Sequence, residues 1–289
     1  MAGKVRVQLL LYHRMPPDEH DRLRALEDTH WWYGVLHWLV MREIEVLPRG
    51  AKVLDVGCGT GGVLAKVDRW DAQGIDVSPH AIRHCRQRGL RAVQVASVHD
   101  LPFDDASFDL VLCLDVLYHQ SVDEDLALRQ MTRVLRPGGR LVFNVPAFDF
   151  LRGEHDDRVC GARRYTASHM RRLLEKHSLS PMMLHYWNAW LVLPLLLRRR
   201  WGRSTGSDLH PLPRWLNALL RIGGRLDAAM DRWFRVPIGS SVFGYACKAG
   251  STGCLQTAPI LPGDLIPSTE LGRASPCSAF TSVAPISHD

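Results

Sequence analysis

No apolar run in this 289-residue sequence approaches the length needed to cross a bilayer. The longest, Ala189 to Leu197, is broken by Pro194 and followed by three arginines. A secretory leader is not expected: Met1 to Tyr12 has positive charge and a short apolar stretch, but no convincing hydrophobic region or cleavage site. Cys-x-x-Cys pairs are absent. The seven cysteines, at 58, 85, 113, 160, 247, 254 and 277, are dispersed and odd in number, which argues for reduced thiols in the cytoplasm and against a disulfide framework or zinc site. Charge is sparse: the formal excess is +6, and the nine Arg and three Asp between Ala189 and Arg235 account for all of it. Positive charge confined to one segment, with no interleaved aromatic–basic surface, disfavours a nucleic-acid partner.

What is present is enough for a full core: 289 residues, 46% of them hydrophobic. Strand-like runs at 52–56, 73–77, 92–96, 109–114 and 140–145 alternate with helical patterns at 62–69, 79–88 and 124–135. Ser78-Pro79 opens one helix and Pro137-Gly138-Gly139 stops another. Repeated β–α units predict an α/β fold, a parallel sheet with helices on both faces. A further helix runs to His177, then come strands at about 179–187 and 239–248. Between those strands lies a basic insert. On a helical wheel Arg214, Arg221, Arg225 and Arg232 share a sector opposite Leu212, Trp215, Leu219, Leu226, Met230 and Trp233. Gly223-Gly224 weakens that helix midway. From Ser251 onward the sequence is rich in Ser, Thr, Pro and Gly and reads as a disordered tail.

The most informative stretch is Val53-Leu-Asp-Val-Gly-Cys-Gly-Thr-Gly-Gly62, a buried strand running into a glycine turn. Gly57, Gly59 and Gly61 allow close backbone approach to a ligand. Gly57, Gly59 and Gly62 also satisfy G-x-G-x-x-G, which alone would admit a nicotinamide enzyme. Asp55 argues otherwise. A carboxylate two residues before the first glycine repels a pyrophosphate and suits a cationic group, so the pocket fits a nucleoside with a positively charged tail. Asp76, in Gly74-Ile-Asp-Val-Ser78, ends the second strand, where a carboxylate can accept both hydroxyls of a ribose.

These two stretches, with Leu101-Pro-Phe-Asp-Asp-Ala-Ser-Phe-Asp109 and Leu135-Arg-Pro-Gly-Gly139, occur in order at suitable spacing. Together they resemble the class I S-adenosylmethionine-dependent methyltransferases, in particular the type 11 group that includes ubiquinone/menaquinone-biosynthesis-like enzymes. The resemblance covers about residues 50–180. More loosely, His30-Trp-Trp-Tyr33 and Val236 to Val242 resemble flanking segments of bacterial methyltransferases tied to glycan or lipid pathways. The resemblance implies a Rossmann-like, seven-stranded, mostly parallel sheet whose last strand is antiparallel, with S-adenosyl-L-methionine as cofactor. It divides the chain into an N-terminal helical lid (1–50), a cofactor-binding core (51–188), a helical insert (189–237), a final core strand (238–250) and the tail (251–289). By the same resemblance Asp55, Gly57, Cys58, Gly59 and Gly61 hold the methionine end of the cofactor. Asp76 and Val77 hold the ribose, Ser97, Val98 and His99 line the adenine, and Leu114 and Asp115 stand at the pocket mouth. Many relatives have an Asp where Ser97 stands; the hydroxyl can still accept a bond from the adenine amino group.

Methyl transfer from a sulfonium is an in-line displacement that needs positioning and water exclusion, and a base only if the acceptor must lose a proton. His119 and His155 both follow strand carboxyl ends and are the candidate bases; each could equally be a wall residue. His155, Asp156 and Asp157 lack a diagnostic metal spacing, so no metal is expected. Trp31, Trp32 and Trp38 belong to a lid or to ordinary core packing, and Arg163-Arg164 either meet an anionic acceptor or are solvated. The expected acceptor is a small molecule, a glycan or a lipid-linked intermediate. The insert suits either a helix lying in an anionic membrane surface, making the protein peripheral on the inner face, or one packed on the core with solvated arginines. Two other readings are a cofactor-binding regulatory protein that has lost catalysis and, disfavoured by Asp55, an NAD(P)-dependent oxidoreductase.

Overall fold

A computed structural model describes residues 17–67, 69–201, 211–234 and 236–250, for some of them the backbone alone; the tail from 251 lies outside the described residues. Seven strands form one sheet: β1 (Lys52–Val56), β2 (Asp71–Asp76), β3 (Val93–Val95), β4 (Phe108–Leu114), β5 (Leu135–Pro146), β6 (Leu179–Trp187) and β7 (Ser241–Lys248). Their order is β3-β2-β1-β4-β5-β7-β6. Strands β1 to β5 pair in parallel, whereas β7 runs antiparallel between β5 and β6. The chain reverses its direction of progress between β1 and β4, so the ends of these two strands form the crevice where such sheets take ligands.

The helices are α1 (Pro17–Leu26), α2 (Trp31–Glu45), α3 (Pro79–Gln87), α4 (Glu124–Val134), α5 (Glu154–Arg158), α6 (Ala167–Lys176), α7 (Val192–Trp201) and α8 (Arg214–Phe234). One sheet face packs Ala127, Leu128 and Met131 of α4 and Met170 and Leu174 of α6. The other packs Val35, Leu39 and Ile44 of α2, Ile82 and Cys85 of α3, and Ala228 of α8. Side-chain caps fix the helix starts: Ser78 accepts from Ala81 N, Asp123 from Leu126 N and Thr166 from His169 N.

The structure corrects four expectations. In place of a helix over 62–69 there is one 3-10 turn, Leu64–Lys66. Gly61 and Gly62 lower helix propensity there, and the few residues before β2 cannot repay helix nucleation. Second, α2 is part of the core as well as a wall of the cavity described below. Its residues Val35, Leu39, Val40 and Ile44 are buried, and its Glu43 pairs with buried Arg140 of β5 at 3.3 Å. Trp38 lies between the guanidinium groups of Arg42 and Arg225, so of the three tryptophans only Trp31 and Trp32 reach the cavity described below.

Third, α8 runs unbroken through Gly223 and Gly224. Gly224 is where α8 crosses α2: a Cβ there would sit 2.9 Å from Val35 Cγ2. Fourth, α8 is not an apolar face turned inward with solvated arginines. Arg221 donates to Thr29 O at 3.0 Å, just before α2, and Arg225 stacks over Trp38 of α2, so both reach back onto the N-terminal part of the chain. The apolar stripe faces outward instead, with Trp215 69%, Leu219 59%, Ile222 50%, Leu226 44% and Met230 52% exposed. The side chains of Arg232 and Trp233 lie outside the described residues.

Cys58, Cys85 and Cys113 are free thiols. Cys247, near the end of β7, is disulfide-bonded, which departs from the expectation of reduced thiols throughout. Among the described residues no helix is long and apolar enough to cross a membrane.

Candidate active site

A cavity of about 950 Å³ opens at the carboxyl ends of β1, β2 and β4. That volume lies at the upper end of the ~300–1,000 Å³ range for small-ligand sites, enough for a nucleoside cofactor and a second molecule beside it. Its walls divide into a polar half made by the sheet and a more apolar half made by α2, the loops after β4 and β5, and the insert.

In the polar half, β1 leaves the sheet through Gly57, at φ 76°, where a Cβ would collide with the Val116 side chain. The turn is pinned by Gly57 N and Cys58 N, both donating to Ile75 O at 2.8 and 2.9 Å. Asp76 accepts from Gly59 N at 3.0 Å through one carboxylate oxygen and from Ser78 N at 2.8 Å through the other. A carboxylate has about four lone-pair sites, so about two remain for a vicinal diol. Asp55 is buried on the cavity wall with no cation beside it; burial, then the charges of Glu27 and Asp76, push it up to about 8. A buried carboxyl in that state gains from an incoming ammonium group. Both carboxylates therefore fit the ends of S-adenosylmethionine: Asp55 its amino acid, Asp76 its ribose.

Cys58, Gly59, Val77, Ser97, Val98 and Leu114 line the cavity as expected, whereas Gly61 does not. Gly61 instead precedes the 3-10 turn, its C=O accepting from Ala65 N at 3.0 Å. Ser97 is placed as expected but works differently. Asp123 N donates to His99 Nε2 at 2.9 Å, so the neutral imidazole carries its proton on Nδ1, 3.4 Å from Ser97 Oγ. With His99 N also donating to Oγ at 3.2 Å, the hydroxyl's lone pairs are engaged and its O–H is left to donate. It suits an adenine ring nitrogen and not the amino group.

Asp115 follows β4 with φ 54°, a left-handed conformation that costs a non-glycine residue energy and concentrates at functional positions. Its carboxylate accepts from Asn144 Nδ2 at 2.9 and 3.1 Å, and Asn144 Oδ1 in turn accepts from Trp187 Nε1 at 2.9 Å. Burial pushes Asp115 up to about 7, opposed by the Asn144 bond. His119 also lines the cavity, stacked on Tyr118 with ring centroids 4.3 Å apart. Its Nδ1 lies 2.8 Å from Val159 O, and burial holds it down at about 4, so it is neutral but a weak proton sink. His155 falls on α5; its side chain, with that of Asp157, lies outside the described residues. Arg164 clamps Asp156 with Nε and Nη2 at 3.0 Å each. Arg163 pairs with Glu124 at 3.0 Å, so both arginines have a carboxylate partner and neither is simply solvated.

Sequence reasoning missed Glu27, Tyr33, His37 and Arg83, all in the cavity wall. Glu27, in the α1–α2 connection, accepts from Gly62 N at 3.0 Å, from the Thr60 hydroxyl and from Arg88 Nη2 at 2.8 Å. It fastens the N-terminal helices to the glycine turn. Its partners lie 33 to 61 residues away, and no local pattern marks such a pairing.

Residues 54–143 match a protein family described as a methyltransferase domain, type 11. That match takes in most of β1, all of β2 to β4 and most of β5. Demethylmenaquinone methyltransferase of Tropheryma whipplei (strain Twist) is 38% identical over 125 residues, 42% of this chain and 49% of that protein. Ubiquinone biosynthesis O-methyltransferase of Xanthomonas axonopodis pv. citri is 35% identical over 141 residues, 43% of this chain and 58% of that protein. The chain thus spans about half the length of the curated relatives it matches. In fold, the chain is similar to phosphoethanolamine N-methyltransferase 2 of Haemonchus contortus solved with S-adenosyl-L-methionine, at a TM-score of 0.54 and 17% identity, over 82% of this chain and 58% of that one. A S-adenosylmethionine-dependent methyltransferase from Thermotoga maritima gives 0.51 at 17% identity, over 80% and 95%. The methyltransferase domain takes S-adenosyl-L-methionine as its cofactor, and the donor set of Asp55 and Asp76 fits it.

Proposed function

We propose that the protein methylates a hydroxyl group of a small amphiphilic acceptor whose apolar part is lipid-like or lipid-linked. When bound, S-adenosylmethionine supplies the methyl group on a sulfonium that is already an activated leaving group. Asp55 holds the cofactor's ammonium, Asp76 its ribose diol, and Ser97 donates toward its adenine. The acceptor hydroxyl gives its proton to Asp115, whose pKa of about 7 suits a general base at neutral pH better than the depressed His119. The single observation that carries the reading is this buried carboxylate in the same cavity as the Asp55–Asp76 pair.

Support for an apolar acceptor comes from Trp31, Trp32, Leu36, Leu191, Leu195 and Leu212, which wall the cavity opposite the carboxylates. Leu191 and Leu195 precede or lie on α7, whose Leu193 and Leu197 are exposed. One segment therefore faces the cavity on one side and solvent on the other. An acceptor dissolved in a membrane surface would have a short path along it.

Calorimetry with S-adenosylhomocysteine tests the donor half. Asp55 starts protonated at pH 7 because its pKa is raised to about 8, and it ionises beside an ammonium. Binding should then release a proton, so the observed heat should change with the buffer's ionisation enthalpy, and Asp55→Asn should abolish that dependence. Tight binding of NAD with none of S-adenosylhomocysteine would sink the reading.

A further inference from the structure

We propose that Asp21, His80 and His84 bind a divalent transition-metal ion, Zn²⁺ by the nature of the donors, and that the ion clamps α1 onto α3 at the rim of the cavity. His80 and His84 stand one helical turn apart on α3, the spacing by which a helix directs two imidazoles from one face at a single ion. Both converge on one atom of the other helix: Asp21 Oδ1 lies 2.9 Å from His80 Nε2 and 2.8 Å from His84 Nε2. The three ligand atoms lie within 4.8 Å of one another, and among the described residues no other group of His, Cys, Asp and Glu is gathered in this way.

The imidazole rings are nearly perpendicular, at 86°, with centroids 4.9 Å apart, so each presents its Nε2 edge to the carboxylate without stacking on the other. Two imidazole nitrogens and one carboxylate oxygen are a donor set that suits Zn²⁺, with remaining positions open to water. The side chains are 24%, 15% and 59% exposed for His80, His84 and Asp21, so an ion can enter from solvent without opening the core.

The placement gives such an ion a consequence. Glu19, His20 and Leu23 of α1 and Pro79, His80 and Arg83 of α3 all line the cavity, so the ligands bridge two walls of its entrance. The sequence separation of 59 and 63 residues means that one coordination sphere would tie the N-terminal helix to the cofactor side of the sheet. A pair of exposed His–Asp hydrogen bonds does little of this, since exposed ion pairs contribute ~0–1 kcal/mol.

The test uses the tag-free full chain, stripped with chelator and titrated with ZnCl₂ by calorimetry. One equivalent should bind in the micromolar range or tighter, and His84→Ala and Asp21→Asn should each weaken it at least tenfold while keeping the far-ultraviolet circular dichroism of the wild type. Co²⁺ should give visible d–d bands without a thiolate charge-transfer band, which separates this site from the cysteines. Amide hydrogen exchange over residues 17–26 should slow at least threefold with Zn²⁺ in the wild type and not in Asp21→Asn. Equal affinity in wild type and both variants, a thiolate band, or binding that leaves exchange over 17–26 unchanged would overturn the proposal.

Discussion

Burial raises both Asp55 and Asp115, but what each touches separates their tasks. Asp55 has acidic neighbours and gains from a cation; Asp115 is held from behind by Asn144 and Trp187 and keeps a face toward the acceptor half. If Asp115 is the base, its charged form is required, and that form is lost as pH falls through about 7. kcat/KM measured against pH should therefore rise to a plateau above about pH 7. Asp115→Asn should lower the plateau by ~10²–10⁴-fold and remove the ascending limb. Persistence of the limb in that variant would move the base elsewhere, with His119 the next group to test.

Helix α8 shows how two adjacent identical residues can have opposite roles. Gly223 has nothing within 4 Å of where its Cβ would stand, while Gly224 faces Val35 across the α2 crossing. In thermal or denaturant unfolding, Gly223→Ala should stabilise by roughly 0.5–1 kcal/mol through helix propensity and unfolded-state entropy. Gly224→Val should destabilise by about 1–3 kcal/mol through overpacking. Equal effects would mean that α8 does not cross α2 at Gly224. From sequence both residues read alike, as a weak point. The strands and the donor half of the cavity were legible because their signals are local: a buried apolar run, a glycine turn, a carboxylate at a strand end. The face that α8 turns inward was not, since a helical wheel gives the sectors but not the neighbour. Nor was the Asp156–Arg164 clamp, or the Glu27 anchor, because both depend on which loops the fold brings together.

At the scale of the whole molecule, the apolar stripe of α8 and the exposed leucines of α7 lie on one segment next to the cavity. With α8 roughly 30 Å long, the stripe is large enough to lie in a bilayer interface, and two of its arginines are turned back onto the protein. Insertion of apolar side chains should thus dominate over attraction to anionic lipid. In vesicle flotation the wild type should bind neutral and anionic vesicles with a modest preference for the anionic. The double variant Leu219→Glu, Leu226→Glu should reduce binding at least tenfold while remaining folded, since both side chains are already exposed. Failure of the wild type to float with either vesicle would remove the membrane from the picture and leave methyl transfer standing.

The sheet order has a further consequence, for the making of the protein. Strand β6 touches the sheet only through β7, yet β7 is synthesised more than fifty residues later, after the whole insert. During translation the growing chain therefore carries β6 with no strand to pair with. The antiparallel edge of the sheet closes only when Ser241–Lys248 has left the ribosome, so the last core strand acts as the key that completes the domain.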